Sequence, residues 1–407
     1  MPTDREILRT LANEYAEAAG HPRNAENAKL YRAVNGLRMI RPVVLINEEP
    51  WCELNTGGEL TLYCTDPDFR RAEQHMRRML YKWRHYPCDM IVPPYIPVDK
   101  IIGGESGWLS VIEDTIETGD GNNIKSHEYT DQLANPEDID KLKMPKFTYE
   151  EKATLAIQQK LDEAVGDIIP IRLIGQGAYI TPWDKISTYR GVTNLLIDLV
   201  DRPEHSHAIM EKMTRMFIEQ YRQFEELGLL DRDPLILHCT AGLCDELVTE
   251  PDQPVLRKNV WGRGTAQIFA SVSKEMHEEF EIEYEKRLME PFGLVYYGCC
   301  EPLDKKIDIV KKIPRLRKIS ITPWANADIA AEAIGKDYVV ALKPNPANVG
   351  AAFDREVIRN EVKHLLDACA RNNCTCELTL KDISTVAHNP NHLEIWEQTV
   401  MELVRAY

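Results

Sequence analysis

Short apolar segments alternate regularly with longer amphipathic segments in the second half of the sequence. The apolar segments have the length of strands, and they lie at residues 266–272, 293–297, 317–321, 338–342 and 375–380. The intervening segments have helical spacing, and they lie at about 273–291, 303–313, 326–335, 354–372 and 390–405. Because a helix between two strands returns the chain to the same end of a sheet, this alternation predicts a parallel sheet covered by helices.

Three earlier apolar segments extend the pattern. They lie at residues 42–46, 89–93 and 168–174, and two long helices are predicted at about 66–86 and 201–227. Eight strands, each followed by helical sequence, are the number found in a (β/α)8 TIM barrel. A doubly wound open sheet is the alternative, but no G-x-G-x-x-G sequence follows an early strand to support it.

Two irregular regions interrupt the alternation. We interpret them as insertions in a single TIM-barrel domain spanning 1–407, at about 100–150 and 229–264, with a helical extension at the N-terminus. The first region contains glycines among polar residues, which predicts a meander or cover. Residues 235–238 would make a ninth strand, and we assign them to the second insertion.

Charge and composition narrow the class of partner. The 407 residues include 49 basic and 65 acidic side chains, so the net charge of -16 disfavours nucleic acids and anionic membranes as main partners. The first residues lack the pattern of a signal peptide, and no apolar run approaches the roughly 20 residues of a membrane helix. We therefore expect a cytoplasmic protein whose ten cysteines are reduced, and whose partners are a small molecule or another protein.

Residues 296–302, Tyr-Tyr-Gly-Cys-Cys-Glu-Pro, place two thiols and a carboxylate at the end of a predicted strand. Active sites of (β/α)8 barrels lie at the carboxyl ends of the strands, and both cysteine and glutamate can bind zinc. Adjacent residues of a strand point to opposite faces, so we expect only one of Cys299 and Cys300 to face the site.

The sequence resembles the uroporphyrinogen decarboxylase-like superfamily, in particular its branch of cobalamin (corrinoid)-dependent methyltransferases. The matching segments are 41–44, 173–180, 189–191, 201–205, 266–276, 279–280 and 284–287. The resemblance implies a barrel with a cleft at the carboxyl ends of the strands, often in a homodimer.

The decarboxylase branch carries Arg-Gln-Ala-Gly-Arg after its first strand and Phe-Ser-Asp-Ile near its second. Here those places read Leu-Ile-Asn-Glu-Glu-Pro, at 45–50, and Met-Ile-Val-Pro-Pro-Tyr, at 90–95. Glu48 and Glu49 would repel a substrate rich in carboxylates, where arginines would pair with it. Porphyrinogen decarboxylation is therefore disfavoured.

The methyltransferase branch holds zinc with a His-x-Cys sequence and a later cysteine. In this chain the histidine place falls at Gly298, the first cysteine place at Cys300 and the last cysteine place near Asp382. The resemblance therefore implies a zinc site of Cys300, Glu301 and Asp382, in which Glu301 replaces the histidine, and in which Glu301 and Asp382 are the catalytic residues. A metal acting as a Lewis acid would stabilise charge on the leaving heteroatom.

From this resemblance we expect a methyltransferase. It would take a methyl group from a small donor, such as a methoxylated aromatic in an O-demethylation, and pass it to the cobalt of a separate corrinoid protein. No Asp-x-His-x-x-Gly sequence for binding a corrinoid occurs in the chain, which fits a separate partner.

Two alternatives remain open at the level of sequence. One is a metal-independent decarboxylase or lyase in which Lys381 and Lys343 hold a carboxylate and Asp382 or Glu48 donates a proton. The other is a module that binds a corrinoid or another ligand without catalysis.

The remaining cleft residues are predicted from their positions at strand ends. We expect Cys299 to pack in the interior, and we expect Cys374 and Cys376 to be structural. His238 and Cys239 are adjacent and not spaced as His-x-Cys, so only His238 is expected to contact the substrate or metal. The complete set of predicted substrate-binding residues is Glu48, Tyr95, Gln176, His238, Trp324, Asn326 and Lys343.

Overall fold

A computed structural model of the chain describes residues 2–117, 125–250 and 252–407. The strands are β1 (Val43–Ile46), β2 (Ile96–Asp99), β3 (Ile102–Glu105), β4 (Glu113–Glu117), β5 (Lys125–Tyr129), β6 (Lys146–Tyr149), β7 (Ile171–Ile174), β8 (Ala178–Ile180), β9 (Trp261–Gly264), β10 (Leu294–Tyr297), β11 (Leu316–Ile321), β12 (Val339–Leu342) and β13 (Thr375–Leu380).

Helices alternate with most strands of the sheet, and the first two of them precede β1 as the predicted N-terminal extension. The helices are α1 (Asp4–Gly20), α2 (Arg23–Asn35), α3 (Trp51–Leu54), α4 (Pro67–His85), α5 (Glu151–Val165), α6 (Pro182–Arg190), α7 (Val192–Asp201), α8 (Pro203–Glu226), α9 (Lys274–His277), α10 (Glu283–Met289), α11 (Ile307–Val310), α12 (Ala327–Ile334), α13 (Arg355–Arg371) and α14 (Asn391–Ala406). Among the described residues, no helix has both the length and the apolar character needed to cross a membrane.

A seven-stranded parallel sheet forms the centre of the molecule, in the order β1-β13-β12-β11-β10-β9-β8. Strands β2 and β7 form a separate parallel pair. Every residue of β1, β10, β12 and β13 is buried, as expected for strands covered by helices on one face and packed in the interior on the other. The prediction of a mixed α/β fold with a large parallel sheet is confirmed.

Two predicted strands lie elsewhere. Residues 267–271 form a 3-10 helix, and the strand of this region is β9, which ends before them. The predicted strand at 89–93 is also displaced, because the ladder with β7 is made by β2. The region predicted as the first insertion, 100–150, of which residues 118–124 lie outside the described residues, contains the antiparallel pairs β3–β6 and β4–β5. The second pair lies within the chain between β3 and β6, so the strands are nested and do not form a meander.

An ion pair lies between strands β11 and β13, fully inside the protein. Nζ of Lys318 is 2.9 Å from Oε2 of Glu377, and neither side chain is exposed to solvent. The same ammonium group donates to Oγ1 of Thr240 at 2.6 Å and to the carbonyl of Ala241 at 3.0 Å, while Thr240 also donates to Glu377. The pair therefore fixes the irregular segment 238–241 to the sheet.

Gly298 follows β10 with a backbone φ of 97°, which side chains rarely allow. A Cβ atom here would lie 2.7 Å from Cδ1 of Leu303 and 3.2 Å from Cβ of Ser320. We therefore expect Gly298→Ala to lower the free energy of unfolding by about 1–3 kcal/mol, measured by urea denaturation. Gly20→Ala is the matched control, since a Cβ there meets nothing within 4 Å and should leave stability unchanged or slightly raised. Equal stability of the two variants would contradict the prediction.

Candidate functional site

Residues that follow three parallel strands meet the irregular segment 238–241 at one end of the sheet. Glu48 follows β1, Cys299 and Cys300 follow β10, and Asp382 follows β13. Nε2 of His238 is 3.1 Å from Oε1 of Glu48, and the backbone amide of Asp382 donates to Oε2 of Glu48 at 3.2 Å. Sγ of Cys300 is 3.3 Å from Oδ2 of Asp382. The structure thus brings together Glu48, His238, Cys300 and Asp382, which were all predicted as site residues.

Three of these residues adopt the left-handed backbone conformation. The φ angles are 60° for Glu48, 53° for His238 and 54° for Asp382. Each such conformation costs on the order of 1 kcal/mol for a residue with a side chain, and such residues concentrate at functional sites. Because Glu48 contacts both of the other two, this end of the sheet is the candidate functional site.

Beside them, His238, Cys239 and Cys299 form what we call the His–Cys–Cys cluster. One nitrogen and two sulfur atoms lie within 4.8 Å of one another. Within residues 2–117, 125–250 and 252–407, this is the one group of three histidine, cysteine or acidic side chains that could hold a metal ion. One imidazole and two thiolates are a donor set typical of zinc.

Hydrogen bonds to the backbone hold the cluster in position. Nζ of Lys343 is buried and donates to the carbonyl of Cys239 at 2.6 Å. The side-chain amide of Asn47 donates to the carbonyl of His238. Sγ of Cys239 lies 3.4 Å from the hydroxyl of Tyr296, a residue of β10. Lys343, which was predicted to bind substrate, therefore lies beside the cluster, and its hydrogen bond holds the backbone of Cys239 in position.

The buried ammonium group of Lys381 lies among the thiols. Its Nζ is 3.3 Å from Sγ of both Cys299 and Cys300, and 2.5 Å from Oδ2 of Asp382. The hydrogen bond with Cys299, together with the charge of Lys381, lowers the pKa of Cys300 against the opposite effect of burial. The hydrogen bond with Cys299 and burial raise the pKa of Cys239 to about 12, so its thiol holds a proton until a cation binds.

Burial and the neighbouring Asp382 raise the pKa of Glu48 to about 7. The hydrogen bond with Glu48 and the charge of Lys381 lower the pKa of Asp382, although burial alone would raise it. Burial, helped by nearby Arg263, lowers the pKa of His238 to about 4, so the imidazole is neutral at pH 7.

Glu301 lies in a different environment from Cys300 and Asp382. It is 1% exposed, and its carboxylate accepts hydrogen bonds from the hydroxyl of Thr265 at 2.7 Å and from the backbone amides of Ala266 and Cys299. Burial raises the pKa of Glu301. Within the described residues, Cys300, Glu301 and Asp382 do not form a group of three convergent ligands.

The remaining predicted substrate-binding residues are Tyr95, Gln176, Trp324 and Asn326, and their contacts and exposure differ. The guanidinium carbon of Arg172 lies 4.7 Å from the ring centroid of Tyr95. Gln176 bridges to Leu230 in the backbone between β7 and β8. Trp324 is 69% exposed, and Asn326 caps α12 by accepting from the amides of residues 328 and 329.

A cavity of about 330 Å³ opens beside the site. Asn47, His238, Cys239 and Thr240 contribute to its wall, together with apolar residues from β1 and from segment 90–93. Its volume falls in the range that small-molecule sites occupy, so His238 and Cys239 of the His–Cys–Cys cluster border a space that can hold a ligand of modest size.

No family model matches the sequence, and no curated protein matches it. Among solved structures, the chain is similar to a methyltransferase from Methanosarcina mazei. The TM-score is 0.51 at 11% sequence identity, and the match covers 92% of this chain and 98% of that one. At this identity the likeness shows the fold alone.

Four residues at the site were not predicted from the sequence. The sequence predicts Cys239 and Cys299 to lie outside the ligand set. Tyr179 falls in the matching segment 173–180, which marks no site residue at this position, and Arg263 lies outside every matching segment. Tyr179 stacks on the imidazole of His238 at 5.7 Å between ring centroids. Arg263 could have been noticed as a charged residue between two glycines, and its segment forms the buried strand β9.

Proposed function

We propose that this protein is a methyltransferase that moves a methyl group from a small donor to the cobalt of a corrinoid carried by a separate protein. The His–Cys–Cys cluster, in which Cys299 follows β10 and His238 and Cys239 lie on segment 238–241 beside it, is the observation that carries the proposal. The similarity in fold to a methyltransferase supports it. The donor we favour is a methoxylated aromatic, whose C–O bond breaks with its electron pair left on oxygen while cobalt in its lowest oxidation state gains the methyl group.

We propose that zinc is held by His238, Cys239 and Cys299. The donor set fits, because three protein ligands of nitrogen and sulfur leave one position open, as in catalytic zinc sites. Zinc, when bound, supplies Lewis acidity that stabilises the negative charge on the heteroatom of the donor. The set implied by the resemblance, Cys300, Glu301 and Asp382, is the competing proposal.

The side chains around the cluster have separate tasks in this proposal. Lys381 stabilises the negative charge of the Cys299 thiolate at 3.3 Å, and Lys343 fixes the backbone that carries Cys239. Asp382 pairs with Lys381 and orients its ammonium group. In the alternative of a metal-independent lyase, Lys343 and Lys381 would hold a carboxylate, but both already have partners within the protein.

The proposal includes a closed (β/α)8 barrel whose mouth receives the corrinoid protein, and a homodimer as the assembly. Support for closure comes from the chain beside β1, where the amide of Asp89 donates to the carbonyl of Val44 at 3.0 Å. This contact lies a few residues before β2, whose partner β7 leads into β8 at the other edge of the large sheet.

The direct test is methyl transfer by the purified chain. We expect the reduced corrinoid of an added corrinoid protein to become methylated, followed by its absorbance, when a methoxylated aromatic is supplied. Removal of metal by a chelator should abolish the reaction, and zinc should restore it. Absence of transfer with every donor tested, by a protein that retains its metal, would overturn the proposed function.

A further inference from the structure

Arg263 is the central residue of a row that crosses three strands. It pairs in register with Tyr179 of β8 on one side and with Tyr296 of β10 on the other. A Cβ at either flanking glycine, 262 or 264, would collide with side chains of helix α10 or of the turn after it. Because successive residues of a strand point to opposite faces, Arg263 points away from α10, toward the site.

The guanidinium group is buried, and no carboxylate among the described residues pairs with it. Arg263 is 3% exposed, and among the described residues none of its three side-chain nitrogens has a hydrogen-bond partner. Its central carbon lies 4.1 Å from the ring centroid of Tyr179 and 5.8 Å from that of Tyr296. Ring faces attract a cation, but they leave five N–H donors unsatisfied, and an arginine does not lose its charge in a protein. An unpaired buried charge is costly, which indicates that a ligand completes the site.

The same two tyrosines connect Arg263 to the His–Cys–Cys cluster. The ring of Tyr179 stacks on His238, and the hydroxyl of Tyr296 lies 3.4 Å from Sγ of Cys239. Tyr179 is 43% exposed, so it forms the wall between the guanidinium group and solvent. A ligand that displaces this one ring would contact Arg263 and the cluster at once.

We propose that Arg263 binds the carboxylate of the ligand, so that the methyl donor of the proposed function is a small organic acid. The planar fork of a guanidinium group pairs with a carboxylate through two hydrogen bonds. A single negative charge matches the site, because the neighbouring ammonium groups already have partners: Lys381 pairs with Asp382, and Lys343 donates to Cys239. A phosphate would bring a second charge, whereas the planar fork of Arg263 pairs with the two oxygens of one carboxylate.

Calorimetric titration of the full-length zinc-loaded protein tests this assignment without the corrinoid partner. The probes are acetate, benzoate, 4-methoxybenzoate, the neutral 4-methoxybenzamide and inorganic phosphate. We expect the wild type to bind 4-methoxybenzoate roughly 10- to 100-fold more tightly than the amide, since a charged two-point pair is lost with the amide. Arg263→Met should abolish that preference. Arg172→Met is the matched control, because Arg172 donates to the carbonyl of Arg232 at 2.6 Å, and this variant should keep the preference.

Three results would overturn the assignment: no binding of any carboxylate by the wild type, equal affinity for acid and amide, or phosphate bound as tightly as 4-methoxybenzoate. Arg263→Met removes an unpaired buried charge, so we expect it to fold with an unchanged or higher melting temperature. Binding of acids without methyl transfer would leave the subsite in place and reject the proposed function. Transfer from acids and neutral donors at equal rates would reject the subsite alone.

Discussion

Glu377→Gln is expected to lower the free energy of unfolding by about 3–5 kcal/mol at pH 7, because it leaves Lys318 charged and unpaired in the interior. The two side chains have no solvent exposure, so water cannot replace the lost carboxylate. Burial already lowers the pKa of Lys318, and Glu377 opposes that effect. The loss of stability should be measured by urea denaturation over a range of pH.

The dependence on pH follows from the same pKa. In the variant, Lys318 has a lower pKa in the folded state than in the unfolded state, so the unfolded chain binds more protons between the two values. The free energy of unfolding of Glu377→Gln should therefore rise with pH relative to wild type, as folded Lys318 loses its proton. A constant difference between pH 6 and pH 10 would contradict this explanation.

The control removes both charges and the hydroxyl group that they share. The triple variant Thr240→Val, Lys318→Met, Glu377→Leu leaves no polar group of this set unpaired, since the carbonyl of Ala241 also accepts from Asn35 at 3.0 Å. We expect its free energy of unfolding to lie within about 2 kcal/mol of wild type, as for other buried ion pairs replaced by apolar residues. Segment 238–241 would then lose its hydrogen bonds to Lys318 and Glu377. Because this segment carries His238 and Cys239, the folded variant should bind zinc more weakly than wild type.

The strands that the sequence predicts correctly are those with continuous apolar runs, such as β10 and β12, because strands buried on both faces need apolar side chains throughout. Strand β9 was missed because its four residues, Trp-Gly-Arg-Gly, have little intrinsic preference for a strand. Its place in the sheet is fixed by neighbours, since Gly262 and Gly264 leave room for α10 and the turn after it. Tertiary packing, which a local pattern does not contain, decides this element.

The residues of the candidate site also divide into those that the sequence pattern brings together and those whose position depends on tertiary packing. Glu48, Cys300 and Asp382 could be predicted to meet, because residues just beyond parallel strands gather at one end of a sheet. His238 and Cys239 lie in an irregular segment whose position depends on Lys318 and Glu377, which are distant in sequence. If Cys299 and Cys300 belonged to a strand, their side chains would point to opposite faces and only one thiol would face the site. The strand ends at Tyr297, however, so both thiols lie 3.3 Å from Nζ of Lys381.

Cys239→Ala and Cys299→Ala are expected to lose bound zinc almost completely, from about one ion per chain to less than about a tenth, measured by elemental analysis after dialysis. Each variant removes one of three ligands, and even changes beside a ligand reduce metal affinity by roughly 10- to 100-fold. Methyl transfer should fall with the zinc content. Cys300→Ala and Asp382→Ala should keep the metal, because neither residue belongs to the His–Cys–Cys cluster.

Cys52→Ala is the matched control, since it removes an exposed thiol from α3 and should change neither zinc content nor methyl transfer. The four site variants separate the two ligand sets. Loss of zinc from Cys300→Ala and Asp382→Ala, with zinc retained by Cys239→Ala and Cys299→Ala, would favour the set implied by the resemblance. That result would also require Glu301 to leave its three hydrogen bonds, with Thr265, Ala266 and Cys299, to reach the metal. The cost of breaking those buried contacts is the physical reason to expect the His–Cys–Cys cluster instead.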